Sequence, residues 1–233
     1  MDSAWQTRTK ALLGDKDIEI LKNSCVAVVG LGGVGSFVFE ALVRAGVGKI
    51  VIIDHDSVEK SNINRQLVAK KSTIGKDKVE VAKNHALDIN DEVEILAYKE
   101  FISKENAADF ISDDVDIIID AIDSVNSKVD LIEYAKENNI EILSSMGTAN
   151  KLDPLKFKFD DISKTSVDPL AKVMRKELKD KGIKDIKVVY SLEKPIINKE
   201  DSTLLGSVSF VPSVCGLILA SKAVEYLVNK TWS

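Results

Sequence analysis

The sequence predicts an α/β protein with a doubly wound, mostly parallel sheet and an antiparallel C-terminal extension. Short apolar segments rich in β-branched residues alternate with helical patterns between residues 26 and 145. Such alternation is typical of βαβ units with right-handed crossovers. A glycine-rich turn follows the first apolar segment, and aspartates follow later ones. Because the carboxyl ends of parallel strands lie at one edge of a sheet, we expect these residues to meet there.

Each element is predicted from its periodicity and its flanking residues. In the first half we expect a helix at 16–23, strands at 26–29 and ending at Asp54, a helix at 76–89, a strand at 94–98, a helix at 104–111, a strand at 115–120, a helix at 127–138 and a strand at 141–145. In the second half we expect a strand at 156–159, a helix at 169–181, a strand at 186–191, a polar loop at 194–206 and a final helix from Ser213. Alternating polarity from residue 156 indicates antiparallel strands. We interpret residues 1–233 as a single domain, with a nucleotide-binding half at about 16–150 and a substrate- and tRNA-binding half at about 151–233.

The glycine-rich turn contains Gly30, Gly32, Gly33 and Gly35 and leads directly into a helix. Glycines let the backbone approach a ligand, and the N–H groups at a helix start favour a phosphate. Asp54 ends the next strand, where a carboxylate can accept hydrogen bonds from a ribose. These features predict a Rossmann-like site for an adenine nucleotide. The same spacing fits the G-x-G-x-x-G pattern of NAD and FAD proteins, so an NAD-dependent oxidoreductase is one alternative.

A polar cluster after the second strand favours a triphosphate over a dinucleotide. The cluster consists of Asp56, Asn64, Arg65, Gln66 and Lys78. A triphosphate brings a third phosphoryl group that requires cationic contacts, whereas the glycine turn alone satisfies the pyrophosphate of NAD. Asp123 and Ser124 follow another strand, and Asp123 is the predicted ligand of Mg²⁺. Capping the next helix is the alternative role for Asp123.

Five ordered motifs resemble the E1-like adenylating enzymes, a family that includes activators of ubiquitin-like sulfur carriers. The motifs are GxGGVGS at 30–36, DxD at 54–56, SNxNRQ at 61–66, GxxK at 75–78 and DxxDS at 120–124. The resemblance implies that ATP with Mg²⁺ activates a carboxylate, with Arg8, Arg65, Lys78 and Asp123 as catalytic residues. Asn64 and Gln66 would position the ribose and phosphates. The resemblance also implies a homodimer in which Arg8 reaches the triphosphate of the other subunit; a solvated surface charge is the alternative for Arg8.

Within that family the chain resembles the tRNA threonylcarbamoyladenosine dehydratases over nearly its whole length. The matching motifs are RTxxLxG at 8–14, DAIDS at 120–124, KxDP at 151–154, KTxxDPLA at 164–171 and VVYSxE at 188–193. The resemblance implies ATP-dependent ring closure of N6-threonylcarbamoyladenosine in tRNA. A monovalent cation and a sulfur-relay-type protein are further candidate partners. An activator of a sulfur carrier is the second alternative, although only two cysteines are present and paired C-x-x-C zinc ligands are therefore absent. A nucleotide sensor without turnover is the third.

The charge balance argues against a general nucleic-acid binder, and we expect no DNA binding. The net charge is −5, with a sequence pI of about 5.3. One segment, residues 164–187, has eight basic residues against four acidic ones. Its densest cluster is Lys172, Arg175, Lys176 and Lys179, which we predict to contact the tRNA backbone. An ordinary solvated helix is the alternative.

Two cysteines in apolar surroundings, Cys25 and Cys215, favour a reducing cytoplasm. We expect Cys25 to be a core residue. Cys215 is either an inert buried thiol or an acceptor of the activated acyl group.

The apolar run at 208–227 is interrupted by Pro212, Gly216, Lys222 and Glu225 and is expected to pack within the protein, with peripheral membrane contact as the alternative. His55 and His85 lack other ligands at zinc spacing, so no zinc site is predicted.

Overall fold

The computed structural model describes residues 4–196 and 204–229. Seven strands form one sheet in these ranges: β1 (Cys25–Val29), β2 (Lys49–Ile53), β3 (Glu94–Tyr98), β4 (Ile117–Asp120), β5 (Glu141–Ser145), β6 (Phe157–Asp161) and β7 (Lys187–Ser191). Their spatial order is β3-β2-β1-β4-β5-β7-β6. The central strand β1 pairs in parallel with both β2 and β4. The strand order reverses between β1 and β4, and ligands of open parallel sheets bind at the carboxyl ends beside such a reversal.

Helices cover both faces of the sheet. They are α1 (Thr7–Leu13), α2 (Asp15–Lys22), α3 (Gly35–Ala45), α4 (Lys78–Leu87), α5 (Ala107–Phe110), α6 (Val125–Glu137), α7 (Pro169–Asp180) and α8 (Phe210–Leu227). One core contains residues of α3, α4 and α8, and the other contains residues of α5, α6 and α7. Along β1, Val26 and Val28 belong to the first core, while Ala27 and Val29 belong to the second. The predicted doubly wound architecture is therefore confirmed, and burial on both faces explains why the strands are continuously apolar.

The C-terminal half extends the same sheet by two strands. Strand β7 runs parallel to β5, and β6 runs antiparallel to β7 at the sheet edge. The predicted antiparallel extension is thus confirmed for β6, whereas β7 continues the parallel part. The pairing of Leu143 with Lys187 and of Ser145 with Val189 joins the two halves of the chain in one sheet.

Several elements differ from their predicted bounds, each for a local reason. Helix α1 was not predicted, because none of its residues is buried and it has no apolar stripe. Helix α5 is shorter than the predicted 104–111, because the Asn106 side chain accepts from the Ser103 N–H at 2.8 Å and donates to the Phe101 carbonyl at 2.9 Å. Helix α8 begins at Phe210 rather than Ser213, since Pro212 is tolerated in a first turn. Residues 197–203 of the predicted polar loop lie outside the described residues.

Helix α8 has the length and composition of a membrane span, with a mean hydropathy of 1.4 over 18 residues. However, 56% of that stretch is buried inside the protein. Gly216 lies against α3 so closely that an added Cβ would be 2.4 Å from the Val34 carbonyl oxygen. This close contact agrees with the packed helix expected from the sequence.

Candidate active site

A cleft of about 680 Å³ opens at the carboxyl ends of β1, β2, β4 and β5. Ten of the predicted site residues line it: Gly30, Gly32, Gly33, Asp54, Asp56, Arg65, Gln66, Lys78, Asp123 and Ser124. A larger groove of about 1150 Å³ lies at the amino ends of the strands, but it contains none of the predicted residues. Its lining mixes both charges, including Lys16, Glu141 and Lys187. The chemistry predicted from the sequence therefore belongs to the smaller cleft.

The glycine turn brings the loops after β1 and β4 into contact. Gly30 has a φ of +91°, and an added Cβ would lie 2.7 Å from the Ala121 carbonyl oxygen. At Gly32, by contrast, an added Cβ would meet only the Gln66 side chain, at 4.0 Å. Space is therefore left for a ligand beside Gly32. The N-cap residue of α3 is Val34, whose side chain cannot accept a hydrogen bond, so the first turn is suited to an anion.

Asp54 connects the glycine turn to the end of β2. Its carboxylate is buried and accepts hydrogen bonds from the Leu31 N–H at 2.6 Å and the Asp56 N–H at 2.8 Å. A carboxylate has about four acceptor positions, so these two bonds leave capacity for a ribose hydroxyl. The predicted ribose contact of Asp54 stays a prediction. Its hydrogen bonds to the backbone are an additional structural role that the sequence did not reveal.

Lys78 is the first residue of α4, and its side chain is only 4% exposed. Its Nζ lies 2.7 Å from Asp56 Oδ2 and 3.8 Å from Asp54 Oδ1. Burial raises the pKa of Asp56, but the hydrogen bond from Lys78 and the positive charges of Lys78 and His55 together outweigh burial, so the pKa lies below its ordinary value. Ligand atoms of Asp54, His55 and Asp56 lie within 4.8 Å of one another. The ammonium of Lys78 next to both carboxylates disfavours a metal ion at that cluster.

Arg65 is held at the cleft by neighbouring groups. Its Nη1 donates to the Ser61 carbonyl at 3.1 Å and to Asn64 Oδ1 at 2.8 Å. Asn64 itself does not line the cleft; its Nδ2 donates to the Ser207 carbonyl at 3.0 Å. Gln66 is buried, and its Oε1 has no hydrogen-bond partner among the described residues. A buried acceptor of this kind in a cleft wall calls for a donor from a ligand or water.

Asp123 projects from the loop between β4 and α6 and is exposed in the cleft. The N-cap position of α6 belongs to Ser124, not to Asp123. The alternative capping role of Asp123 is therefore wrong. Its carboxylate is available for a ligand, while the magnesium role stays a prediction.

The remaining predicted residues lie outside the cleft. Arg8 is exposed on α1 and does not line the cleft of its own chain. Lys172, Lys176 and Lys179 are exposed on α7, whose first turn, Pro169 and Leu170, does line the cleft. Arg175 differs from these lysines, because it is half-buried and its Nη1 donates to the Thr165 carbonyl at 2.9 Å.

Two buried ion pairs beside the cleft were missed by the sequence reasoning. Lys128 Nζ lies 2.9 Å from Asp120 Oδ2, and Lys151 Nζ lies 2.6 Å from Asp168 Oδ2. All four side chains are almost completely buried. The motifs shared with the dehydratases contain Asp120, Lys151 and Asp168, and these motifs could have indicated the three residues. Lys128 had no such signal, since lysines are rarely buried.

Both cysteines are free and buried. Burial raises the pKa of Cys215 to about 12, and that of Cys25 to about 12 as well. A thiol with such a pKa is protonated at neutral pH and is a poor nucleophile. The geometry thus supports the inert alternative for Cys215 and the core role of Cys25.

The reversal in strand order, the glycine turn and the cleft lined by carboxylates and cations define a Rossmann-like nucleotide-binding protein. The chain matches the ThiF family over residues 6–232 and belongs to that family. The resemblance to E1-like adenylating enzymes is confirmed by this match.

Relatives of similar length indicate which members of the ThiF family the chain is similar to. A Bacillus subtilis (strain 168) protein named tRNA threonylcarbamoyladenosine dehydratase is 43% identical, over 96% of this chain and 94% of that protein. The crystal structures of Escherichia coli tRNA N6-threonylcarbamoyladenosine dehydratase, TcdA, in complex with AMP and with ATP, match with TM-scores of 0.91 and 0.90. Both are 33% identical in sequence and cover 98% of this chain and 96% of theirs. An adenylyltransferase and sulfurtransferase, UBA4 of Meyerozyma guilliermondii, is 35% identical over only 54% of this chain and 30% of that protein.

Proposed function

We propose that this protein catalyses the ATP-dependent dehydration of N6-threonylcarbamoyladenosine in tRNA. The observation that carries the proposal is the cleft, which brings the glycine turn, Asp54, Arg65, Lys78 and Asp123 to one edge of the sheet. Similarity over nearly the full chain to proteins with that name supports the choice of substrate. The alternatives of a sulfur-carrier activator and an NAD-dependent oxidoreductase have no comparable support.

The reaction requires a carboxylate to become an acyl donor. A carboxylate oxygen of the threonyl group attacks the α-phosphorus of ATP, and the bond to pyrophosphate breaks. The urea group of the same nucleoside then attacks the acyl carbon, AMP leaves with the carboxylate oxygen, and one proton is lost. The nucleoside has then lost the atoms of one water. No enzyme nucleophile is needed in these reaction steps.

The residues of the chain bind and orient ATP for this reaction. The N–H groups beside Gly32 and Gly33 follow the phosphates, while Asp54 accepts from the ribose. Arg65 and Lys78 hold the β- and γ-phosphates as fixed positive charges. The phosphates compete with Asp56 for the ammonium of Lys78, which is already positioned inside the cleft.

The donor set of the cleft fits Mg²⁺. Asp123 offers an exposed carboxylate, a hard oxygen ligand of the kind that Mg²⁺ prefers. When bound, Mg²⁺ would neutralise the charge that develops on the phosphates. Asp123 would hold the ion and thereby fix the distance between the triphosphate and the loop after β4. A monovalent cation stays a predicted ligand without assigned residues.

The direct test is a nucleoside mass measurement. The purified protein is incubated with ATP, Mg²⁺ and tRNA that carries N6-threonylcarbamoyladenosine, and the digested nucleosides are weighed. A mass lower by one water, with stoichiometric AMP and pyrophosphate, is the expected result. Unchanged nucleoside mass with intact ATP would contradict the proposal.

We propose that α7 guides tRNA to the cleft. Ala171, Met174 and Leu178 bury one side of the helix, so Lys172 and Lys179 extend into solvent from the other side. Because the first turn of α7 borders the cleft, phosphates bound along this helix would place a tRNA close to the site. The net charge of −5 makes such a local basic surface necessary for a polyanionic substrate.

Reversing Lys172, Lys176 and Lys179 to glutamate should raise the KM for tRNA at least about tenfold and leave ATP binding unchanged. The dependence of tRNA binding on salt should also become shallower, by about 0.9 for each phosphate that the helix no longer neutralises. Arg175 is left intact because its hydrogen bond to Thr165 supports the fold. Reversal of Lys16, Lys22 and Lys187, at the opposite edge of the sheet, is the matched control. Equal effects of the two triple variants would show that α7 is an ordinary solvated helix.

Replacing Cys215 by alanine should keep most of the dehydration rate, because the buried thiol is protonated and ring closure requires no acyl-enzyme. The native protein should also resist alkylation of Cys215 by iodoacetamide at pH 8, since burial raises its pKa to about 12. Single-turnover rates and peptide mass spectrometry measure the two results. A thousandfold loss of rate would instead indicate a covalent intermediate.

We further propose a cytoplasmic homodimer in which Arg8 serves the neighbouring site. Its exposure on α1, outside the cleft of its own chain, supports an action in trans. Two free, buried cysteines agree with a reducing compartment. A sulfur-relay-type protein partner and a peripheral membrane contact of α8 stay predictions.

A further inference from the structure

We infer that Lys128 is a positioning residue that fixes the loop carrying Asp123. Its ammonium lies 2.9 Å from Asp120 Oδ2 and donates to the Ile122 carbonyl at 3.0 Å. Asp120 Oδ1 accepts from the Ile122 N–H at 3.1 Å. Both the N–H and the carbonyl of Ile122 are therefore held by one buried ion pair, one residue before Asp123.

Strand β5 holds the same network from the other side. Ser144 Oγ donates to Asp120 Oδ2 at 2.5 Å, and Ser145 Oγ donates to the Asp120 carbonyl at 3.2 Å. The first bond attaches the carboxylate of Asp120 to the neighbouring strand, and the second attaches its backbone carbonyl. The loop after β4 is thus attached to β5 through Asp120 and to α6 through Lys128.

Stability alone does not explain a lysine in this place. The side chains of Lys128 and Asp120 are both 0% exposed, and removing two charges from water costs more than packing two apolar side chains of similar volume. An apolar pair would fill the space but would offer no hydrogen bond to either side of Ile122. The geometry of the loop is what the ion pair provides, and that geometry places Asp123 in the cleft.

The test variant carries Lys128→Met together with Asp120→Asn. It removes both charges, so that no single buried charge is left unpaired, and Asn keeps an acceptor for the Ile122 N–H. The expected result is a native circular dichroism spectrum, with amide exchange of residues 122–124 at least tenfold faster in the protein without ligands. In the dehydration assay, kcat should fall about 10- to 100-fold, and the half-saturating Mg²⁺ concentration should rise. Unchanged exchange in this loop would overturn the inference.

Combination with Asp123→Asn separates positioning from general damage. If Lys128 acts through Asp123, removing the ion pair in the Asp123→Asn background should cost less than threefold further in kcat. If the paired variant lowers kcat by the same factor with and without Asp123→Asn, the inference is overturned. The kcat measurement rests on the proposed function, whereas the amide-exchange measurement does not. A wild-type protein without dehydration activity would refute the proposed function and leave the amide-exchange test of the loop intact. If the paired variant fails to fold, Lys128→Gln removes the charge and shortens the side chain that reaches the Ile122 carbonyl, and unchanged exchange of residues 122–124 in that variant would overturn the inference.

Discussion

Replacing Asp123 by alanine is expected to lower kcat for the dehydration by about 10³-fold or more while the fold is kept. A metal-bound carboxylate supplies charge stabilisation worth several kcal/mol, and a thousandfold loss corresponds to about 4 kcal/mol. Asp123 is exposed, and Ser124 holds the N-cap position of α6 instead. Its removal should therefore change the free energy of unfolding by about 0.5 kcal/mol or less. Single-turnover kinetics and thermal unfolding measure the two quantities.

Two controls make this result specific. Asp123→Asn keeps the size and one oxygen but loses the charge, so its kcat should be nearly as low as that of Asp123→Ala. Asp113→Ala removes an exposed aspartate that precedes β4, at the opposite edge of the sheet, and should leave the rate unchanged. Normal rates in Asp123→Ala would show that this carboxylate does not hold the metal ion.

Mixing an Arg8→Ala subunit with an Asp123→Ala subunit is expected to recover activity that neither variant has alone. An arginine that stabilises a triphosphate in trans is worth about 10³- to 10⁵-fold in rate, so Arg8→Ala should be almost inactive. In a mixed dimer, one site combines an intact Asp123 with the partner's intact Arg8. After random exchange of equal amounts, half of the dimers are mixed, and about a quarter of the wild-type rate should return.

The control for subunit exchange is a mixture of wild-type protein with a chain carrying both substitutions. Recovery should also depend on total protein concentration, because dimers dissociate on dilution. If the first mixture stays inactive although native mass spectrometry detects mixed dimers, Arg8 acts in its own site or not at all. A monomer under assay conditions would contradict the dimer proposal directly.

Much of the fold could be predicted from the sequence, because the patterns that indicate strands and turns are local. The strand from Cys25 to Val29, the glycine turn and the strand ending beside Asp54 combine apolar runs with residues of special backbone freedom. Such features act within a few residues of one another, so they can be found without the tertiary structure. Helix α5 shows the limit, since the side chain of Asn106 competes with the helix for backbone groups.

The candidate site was predicted as a set of residues, but its internal contacts were not. Ten predicted residues do line one cleft, as the reversal of strand order implies. The sequence did not reveal that Lys78 is paired with Asp56, or that Arg175 is tied to Thr165. Pairings of this kind depend on side-chain directions that motif spacing does not specify.

The sequence by itself determined the βαβ alternation, the turn at Gly30 and the polar residues that follow the strands. Only the tertiary structure decided which of those residues are free to meet a ligand. Asn64 contacts the Ser207 carbonyl 143 residues away, and Lys128 is buried with Asp120 although a helical lysine is ordinarily solvated. Such contacts arise where segments distant in the chain pack together. Burial and charge pairing at those places are set by the distances between elements, which no local pattern contains.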